Sequence, residues 1–138
     1  MRFDFTAESQ GIDPESYEPF YNECQSFFDD ILNSGRWKIW VADIDGVIVS
    51  HVFVEIIDTV PRPERRKSPF GFMTNVYTLP GYRSMGIGGM ILEEVHAWAK
   101  ELGLTFLMVW PSELSVEFYA RHGFKQAKEV MENHLKTN

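Results

Sequence analysis

The sequence predicts a single domain of the α/β class that spans residues 1–138. Three observations favour this class. Segments with apolar residues at helical spacing alternate with short apolar runs that have strand character. A glycine-rich loop joins one of these strands to a helix. The predicted order is helix, β-hairpin, strand, helix, strand, helix and strand, and 138 residues is an ordinary length for one domain.

The first predicted helix spans residues 14–33. Asp13 is a good N-cap and Pro14 suits the first helical position, whereas Gly35 follows the predicted end of the helix. Cys24 lies on the apolar face of this helix, so we expect it to pack rather than to react. The apolar residues at helical spacing are Tyr17, Phe20, Tyr21, Cys24, Phe27, Phe28, Ile31 and Leu32.

A hairpin and a third strand are predicted next. Residues 37–42 and 47–57 read as strands, with a turn at Asp43–Gly46. Residues 59–69 contain three prolines and several charges, which indicates a loop. Residues 70–78 are predicted to form the third strand.

The glycine-rich segment after the third strand is the most informative part of the chain. Gly86, Gly88 and Gly89 precede or begin a predicted helix, so backbone N–H groups are exposed at the positive end of its dipole. Arg83 stands where it could pair with a phosphate. We interpret this loop as a socket for a pyrophosphate. It has neither the Gly-Lys-Ser/Thr of a nucleotide kinase loop nor the glycine order of a dinucleotide site.

Three further elements complete the prediction. A helix spans residues 87–102, and the apolar run 104–110 is predicted to be a central strand that is buried on both faces. Ser112 is the expected N-cap of the next helix, which ends before Gly123. The last strand is expected within residues 124–135.

Composition excludes several classes of function. The hydrophobic fraction of 44% and the aromatic fraction of 14% favour a packed core. A net charge of −7 argues against general binding of nucleic acid or anionic membranes. Cys24 is the only cysteine, the histidines have no metal-ligand spacing, and no apolar run is long enough for a membrane span. We therefore expect a cytoplasmic protein with no metal.

Two motifs together resemble the GNAT superfamily of N-acetyltransferases. The first is Arg83-x-x-Gly86-x-Gly88, and the second is Phe118-Tyr119-x-x-x-Gly123-Phe124. Each motif is weak alone, but they occur in the superfamily's order, with a predicted helix and strand between them. The similarity extends over residues 36–127.

The resemblance implies a fold and a cofactor site. The implied GNAT fold has a central, mostly antiparallel sheet with one splayed parallel pair of strands, flanked by helices. The splayed pair takes the pantetheine arm of acetyl-CoA, and the glycine loop holds the pyrophosphate. The implied cofactor-binding residues are Val76, Tyr77, Thr78, Arg83, Ser84, Met85, Gly86, Ile87, Gly88, Gly89 and, with less weight, Ser112.

The resemblance also implies a reaction, in which an acetyl group passes directly from acetyl-CoA to an amine. Tyr119 would be the general acid near the thioester sulfur, and the Val76 N–H would polarise the carbonyl. The base is uncertain: Glu55 and His51 lie on one face of a strand and either could serve, although both are expected to face solvent. Cys24 takes no part.

The N-terminal region departs from the GNAT pattern. Only Met1–Thr6 could supply the usual first strand, and the usual first helix has no room. A natural variant, a shortened chain and a dimer whose partner covers the exposed edge are all consistent with this, and we expect a homodimer. Two other functions stay open: a non-catalytic acyl-CoA-binding or regulatory module, and an interaction domain that does not bind CoA. The acceptor amine, small or peptidic, is not readable from the sequence.

Overall fold

The computed structural model describes residues 17–64 and 67–136. Within them, three α-helices and four β-strands follow the predicted order up to the third helix. The predicted helix start at Asp13–Glu15 and the strand material at Met1–Thr6 lie outside the described residues. The elements are α1 Tyr17–Leu32, β1 Trp37–Ile44, β2 Val47–Ile57, β3 Phe70–Thr78, α2 Ile87–Leu102, β4 Leu107–Val109 and α3 Val116–Arg121.

The four strands form one mixed sheet in the order β1-β2-β3-β4. The first three strands are antiparallel and β4 is parallel to β3, with α2 in the crossover. The hairpin turn is shorter than predicted, because β1 continues to Ile44 and only Asp45 and Gly46 have left-handed φ angles. The Gly46 N–H donates to Asp43 Oδ1 at 2.8 Å, which closes the turn. This is the mixed sheet expected from the sequence.

The helices cover both faces of the sheet. On one face, Val52, Val54 and Met73 pack against buried residues of α2 and against Tyr119 of α3. On the other face, Phe28 of α1 lies 5.8 Å from Phe53, measured between ring centroids. Two layers of apolar contact therefore fix the sheet between α1 and the α2–α3 pair.

The prediction for the strand after α2 was wrong in length and place. It is limited to Leu107–Val109, it is only partly buried, and it lies at the edge of the sheet. Phe106 and Trp110, predicted to be buried, are 54% and 63% exposed. A strand is buried on both faces only where helices cover both sides of the sheet at its position, and this coverage is incomplete at the edge. No strand occurs in the described residues 124–136, so the predicted last strand was also wrong.

None of the helices in the described part of the chain is long and apolar enough to cross a bilayer.

Candidate active site

The parallel strands β3 and β4 separate part of the way along β3. Their pairing joins Gly71 to Leu107, Phe72 to Met108 and Met73 to Val109, and it ends there, five residues before β3 does. Val109 is also the last residue of β4, so residues 74–78 of β3 continue past it without a parallel partner strand in the described residues; we call the space beside this stretch the gap. This edge of an α/β sheet is where such folds place ligands.

A bulge in β3 lies at the start of this gap. The register between β2 and β3 shifts by one residue between His51 and Phe53, and Asn75 has a left-handed φ of 53°. The Asn75 carbonyl accepts a hydrogen bond of 2.6 Å from the Nδ1–H of His51, since a carbonyl can only accept. His51 is buried, with its ring 5.6 Å from Phe53 and 6.0 Å from Tyr77, so the expectation that it faces solvent was wrong.

The glycine-rich loop brings the start of α2 to the same end of the sheet. A 3₁₀ turn at Pro80–Tyr82 is followed by left-handed φ angles at Ser84 (63°) and Gly86 (79°), after which α2 begins. Within the described residues, no side chain caps α2, and its first-turn N–H groups point out of the helix. The loop thus leads into a helix N-terminus without a side-chain cap, which is an arrangement that can accept an anion.

Packing within the chain also requires that Gly88 and Gly89 have no side chains. A Cβ atom on Gly88 would lie 3.2 Å from the Phe118 ring, and one on Gly89 would lie 3.0 Å from the His122 ring. Both aromatic residues belong to α3 or follow it directly. The small residues therefore let α3 approach the first turn of α2, and this contact holds Tyr119 at a fixed distance from the loop.

Arg83 links the loop to the end of β3. Its Nε–H donates to the Thr78 carbonyl at 2.8 Å, and its guanidinium lies 5.3 Å from the centroid of the Tyr77 ring. Arg83 is exposed, so a positive charge lies at the surface near the end of β3. A cation in this place favours an anionic ligand.

Tyr119 lies in the core on the face covered by α2. It is 6% exposed, and its ring packs edge-on against Phe118 at 5.2 Å and Phe124 at 5.4 Å. Val76 of β3 and Ile87 of α2 pack against the same cluster. Burial raises the pKa of Tyr119 to about 12, so the phenol is protonated throughout the neutral range.

Two predicted residues lie apart from this cluster. Glu55, half-buried, pairs with Phe72 and Trp37 on the face of the sheet that α1 covers, opposite Tyr119. Ser112 is exposed and its hydroxyl donates to Ser115 Oγ at 3.0 Å. Ser112 occupies the expected N-cap position, with an extended backbone before the 3₁₀ turn Glu113–Ser115, but its hydroxyl makes no capping hydrogen bond.

A groove that the sequence interpretation missed lies between α1 and the sheet. It has a volume of about 310 Å³ and reaches β3 at Thr74 and Asn75. The available signal was the excess of aromatic residues on α1, which was interpreted as core packing. Phe27, for example, is 44% exposed. Within the described residues, no group of three or more His, Cys, Asp or Glu side chains could hold a metal ion.

Comparisons with known proteins agree with this architecture. The family model described as the acetyltransferase (GNAT) family matches residues 4–124. An aminoglycoside N(6')-acetyltransferase type 1 of Acinetobacter haemolyticus is 30% identical over 67 residues, which are 46% of this chain and 46% of that protein. The chain thus spans less than half the length of the curated relatives that it matches.

Solved structures extend the similarity to nearly the whole chain. The crystal structure of a "predicted acetyltransferase" from Clostridium acetobutylicum with acetyl-CoA is 25% identical, with a TM-score of 0.80. The alignment covers 97% of this chain and 86% of that one. A GCN5-related N-acetyltransferase from Ralstonia eutropha has the same fold at 21% identity and a TM-score of 0.75, covering 98% and 89% of the two chains.

Proposed function

The chain belongs to the GNAT family of acetyltransferases, and on this basis we propose that it transfers an acetyl group from acetyl-CoA to a primary amine. The observation that supports the proposal best is the placement of three features at one end of the sheet. These are the gap between β3 and β4, the uncapped N-terminus of α2, and Tyr119 in the core behind them.

In the proposed complex, the glycine loop binds the pyrophosphate of acetyl-CoA. The backbone N–H groups of Ser84–Gly89 and the charge of Arg83 face the anion, and the helix dipole of α2 adds to the attraction. The pantetheine arm enters the gap along β3, beside Val76 and Thr78. Exposed Ser112, three residues beyond β4, is a more distant contact.

The proposed chemistry is direct acyl transfer. The acceptor ammonium first loses a proton, and the nitrogen lone pair then attacks the thioester carbonyl carbon. The Val76 N–H stabilises the oxygen as it becomes negative. The C–S bond breaks as the C–N bond is completed, the nitrogen loses its second proton, and the thiolate receives a proton. The chain needs no covalent intermediate for these steps.

The pKa of Tyr119 limits what its hydroxyl can do. A phenol with a pKa of about 12 is a weaker acid than a thiol of pKa about 8.5, so complete transfer to the thiolate is unfavourable by roughly 5 kcal/mol. Tyr119 therefore acts mainly as a hydrogen-bond donor that stabilises charge on the departing sulfur. Solvent completes the protonation.

Glu55 remains our candidate for the base. It lies on the α1 face of the sheet, paired with Trp37 but outside the lining of the groove, so it takes the proton of the acceptor through a bridging water. His51 lies on the same face of β2, with its Nδ1 proton bound to Asn75. The proposed base and the proposed hydrogen-bond donor to the sulfur thus lie on opposite faces of one sheet.

The proposal extends to the whole protein as one domain, acting in the cytoplasm as a homodimer. A non-catalytic acyl-CoA-binding or regulatory module is the competing function. The curated relatives are aminoglycoside N(6')-acetyltransferases, so an amino sugar belongs in any panel of test acceptors.

Turnover of acetyl-CoA with an amine panel, measured as release of free thiol, tests the proposal. We expect acetylation by the wild type and a fall in kcat of about 100-fold in Tyr119→Phe, within the range for loss of one hydrogen-bond donor to a developing charge. Acetyl-CoA at 100 times its Kd should stabilise both proteins by about 2.7 kcal/mol. Stabilisation without acetylation of any amine would favour the binding module, and no stabilisation would exclude both functions.

A further inference from the structure

The groove between α1 and the sheet is built mainly from aromatic rings. Measured between ring centroids, Trp37 lies 5.6 Å from Phe27 and 6.4 Å from Phe53. The Phe28 ring lies 5.8 Å from the rings of Phe27 and Phe53. All four rings line the groove. Such a surface gains free energy when an apolar body leaves water to contact it.

Among the described residues, Glu23 supplies the one ionisable carboxylate that lines the groove, and no lysine, arginine or histidine of this part of the chain lines it. The remaining polar lining comes from Cys24, Thr74 and Asn75. A single negative charge beside several π faces matches a ligand with a single positive charge, because both the carboxylate and the rings attract a cation.

The groove also lies where an acyl group would emerge. Thr74 and Asn75 follow directly after Met73, the last β3 residue paired with β4. Tyr119 lies on the opposite face of the sheet. A thioester in the gap therefore has the phenol on one side and the aromatic groove on the other.

We propose that this groove is the acceptor site, and that the acceptor is a small primary monoamine with an apolar, aromatic body. This inference rests on the proposed acetyl transfer and narrows its substrate class. A volume of about 310 Å³ is at the lower limit of sites for drug-sized ligands. An amino sugar would leave most of its hydroxyl groups without partners against these rings.

The test compares 2-phenylethylamine with glucosamine as acceptors for the wild type and two pairs of variants. We expect kcat/KM to be at least tenfold higher for 2-phenylethylamine. Glu23→Gln should raise the KM for 2-phenylethylamine about tenfold with little change in kcat. The reason is that the Glu23 carboxylate stabilises the bound amine and the transition state to the same extent. Glu18→Gln, an exposed acid of α1 outside the groove, is the matched control and should have no effect.

A second pair of variants tests the aromatic wall. Phe27→Leu should raise the KM for 2-phenylethylamine several-fold, whereas Phe106→Leu, also about half exposed but in a different groove, should not. Equal effects in the two variants would overturn the assignment of the groove.

The remaining outcomes separate this inference from the proposed function. Acetylation of glucosamine but not of 2-phenylethylamine would overturn the inference and leave acetyl transfer standing. An unchanged KM in Glu23→Gln would place the acceptor elsewhere. If acetyl-CoA binds and neither amine is acetylated, the proposed function fails. Thermal stabilisation by 2-phenylethylamine alone then tests whether the groove binds an amine. Stabilisation of the wild type that is lost in Glu23→Gln would support an amine site in the groove. No stabilisation of the wild type would overturn the inference.

Discussion

At the scale of single residues, Tyr119 combines a ring that belongs to the core with a hydroxyl proposed for chemistry. Its ring contacts Phe118 and Phe124 and packs with Met73 and Leu92. The phenylalanine variant keeps these contacts, whereas the alanine variant removes them. Stability and activity are therefore separable at this one position.

We predict that Tyr119→Ala lowers the free energy of unfolding by about 3–5 kcal/mol, as for other buried aromatic truncations. Tyr119→Phe should change it by less than about 1.5 kcal/mol, because shape and packing are kept. Urea denaturation with a constant slope measures both values. A large loss of stability in Tyr119→Phe would mean that the hydroxyl has a structural role. A fall in the activity of this variant would then no longer be evidence for a chemical role.

His96 makes the fold sensitive to acid. Burial, then the charge of Lys100 and then His122, lower the pKa of His96 below its ordinary value. The unfolded chain therefore binds a proton more tightly than the folded one does. Stability is complete above the unfolded pKa of about 6.5 and falls as the pH drops through the folded value.

We predict that His96→Gln reduces the loss of thermal stability between pH 7.5 and pH 5. The control is His134→Gln, since His134 is exposed near the C-terminus. Melting temperatures of the three proteins across this range test the prediction. Parallel curves for His96→Gln and the wild type would contradict it.

Local motifs give candidate residues, whereas the surroundings of these residues depend on the fold. Tyr119 is a candidate because its motif is local, and α3 places it in the core. His51 was predicted to face solvent, because nothing local records the bulge at Asn75 that brings the two residues together. The sequence analysis explained Gly88 and Gly89 by ligand binding. Their close approach to Phe118 and His122 could not be predicted, because it depends on tertiary packing.

At the scale of elements, β3 organises the site because it pairs with β4 at one end and separates from it at the other. Gly71 lies at the paired end. A Cβ atom there would lie 2.8 Å from a Leu107 methyl group and 2.9 Å from a Val54 methyl group. The close approach of β4 to β3 thus depends on the absence of a side chain at this position.

We predict that Gly71→Ala destabilises the fold by about 1–3 kcal/mol, the usual cost of overpacking. It should also weaken acetyl-CoA binding, since a displaced β4 alters the gap. Gly81→Ala is the control: nothing lies within 4 Å of its added Cβ, and its φ is not left-handed. Equal stability of the two variants in urea would contradict the prediction.

The bounds of most elements were predicted closely. β2, β3 and α2 have the predicted ends, because prolines and glycines mark them locally and Gly103 ends α2 in a left-handed conformation. The strand after α2 was predicted to be longer and more deeply buried than it is. The burial of a strand depends on which strands pair with it, and this is not a local property.

At the scale of the whole molecule, the sheet and its C-terminal segment leave apolar surface exposed. The outer edge of β4 is not covered by another strand of the described residues. Met131 and Leu135 are 95% and 88% exposed. An open sheet edge and exposed apolar side chains each favour association with another chain.

We predict that the protein is a homodimer at micromolar concentration. Light scattering should give twice the chain mass of 16.0 kDa. Replacing both Met131 and Leu135 by glutamate should shift the mass toward the monomer, whereas Val60→Glu, at an exposed loop position, should not. A monomeric mass for the wild type would refute the prediction.

The central claim is that acetyl-CoA binds where β3 separates from β4. A crystal structure with coenzyme A tests it most directly. The account predicts pyrophosphate oxygens within hydrogen-bond distance of the backbone N–H groups of Ser84–Gly89, with the sulfur in the gap near Tyr119. Coenzyme A bound elsewhere, or a gap closed by the protein's own side chains, would contradict it.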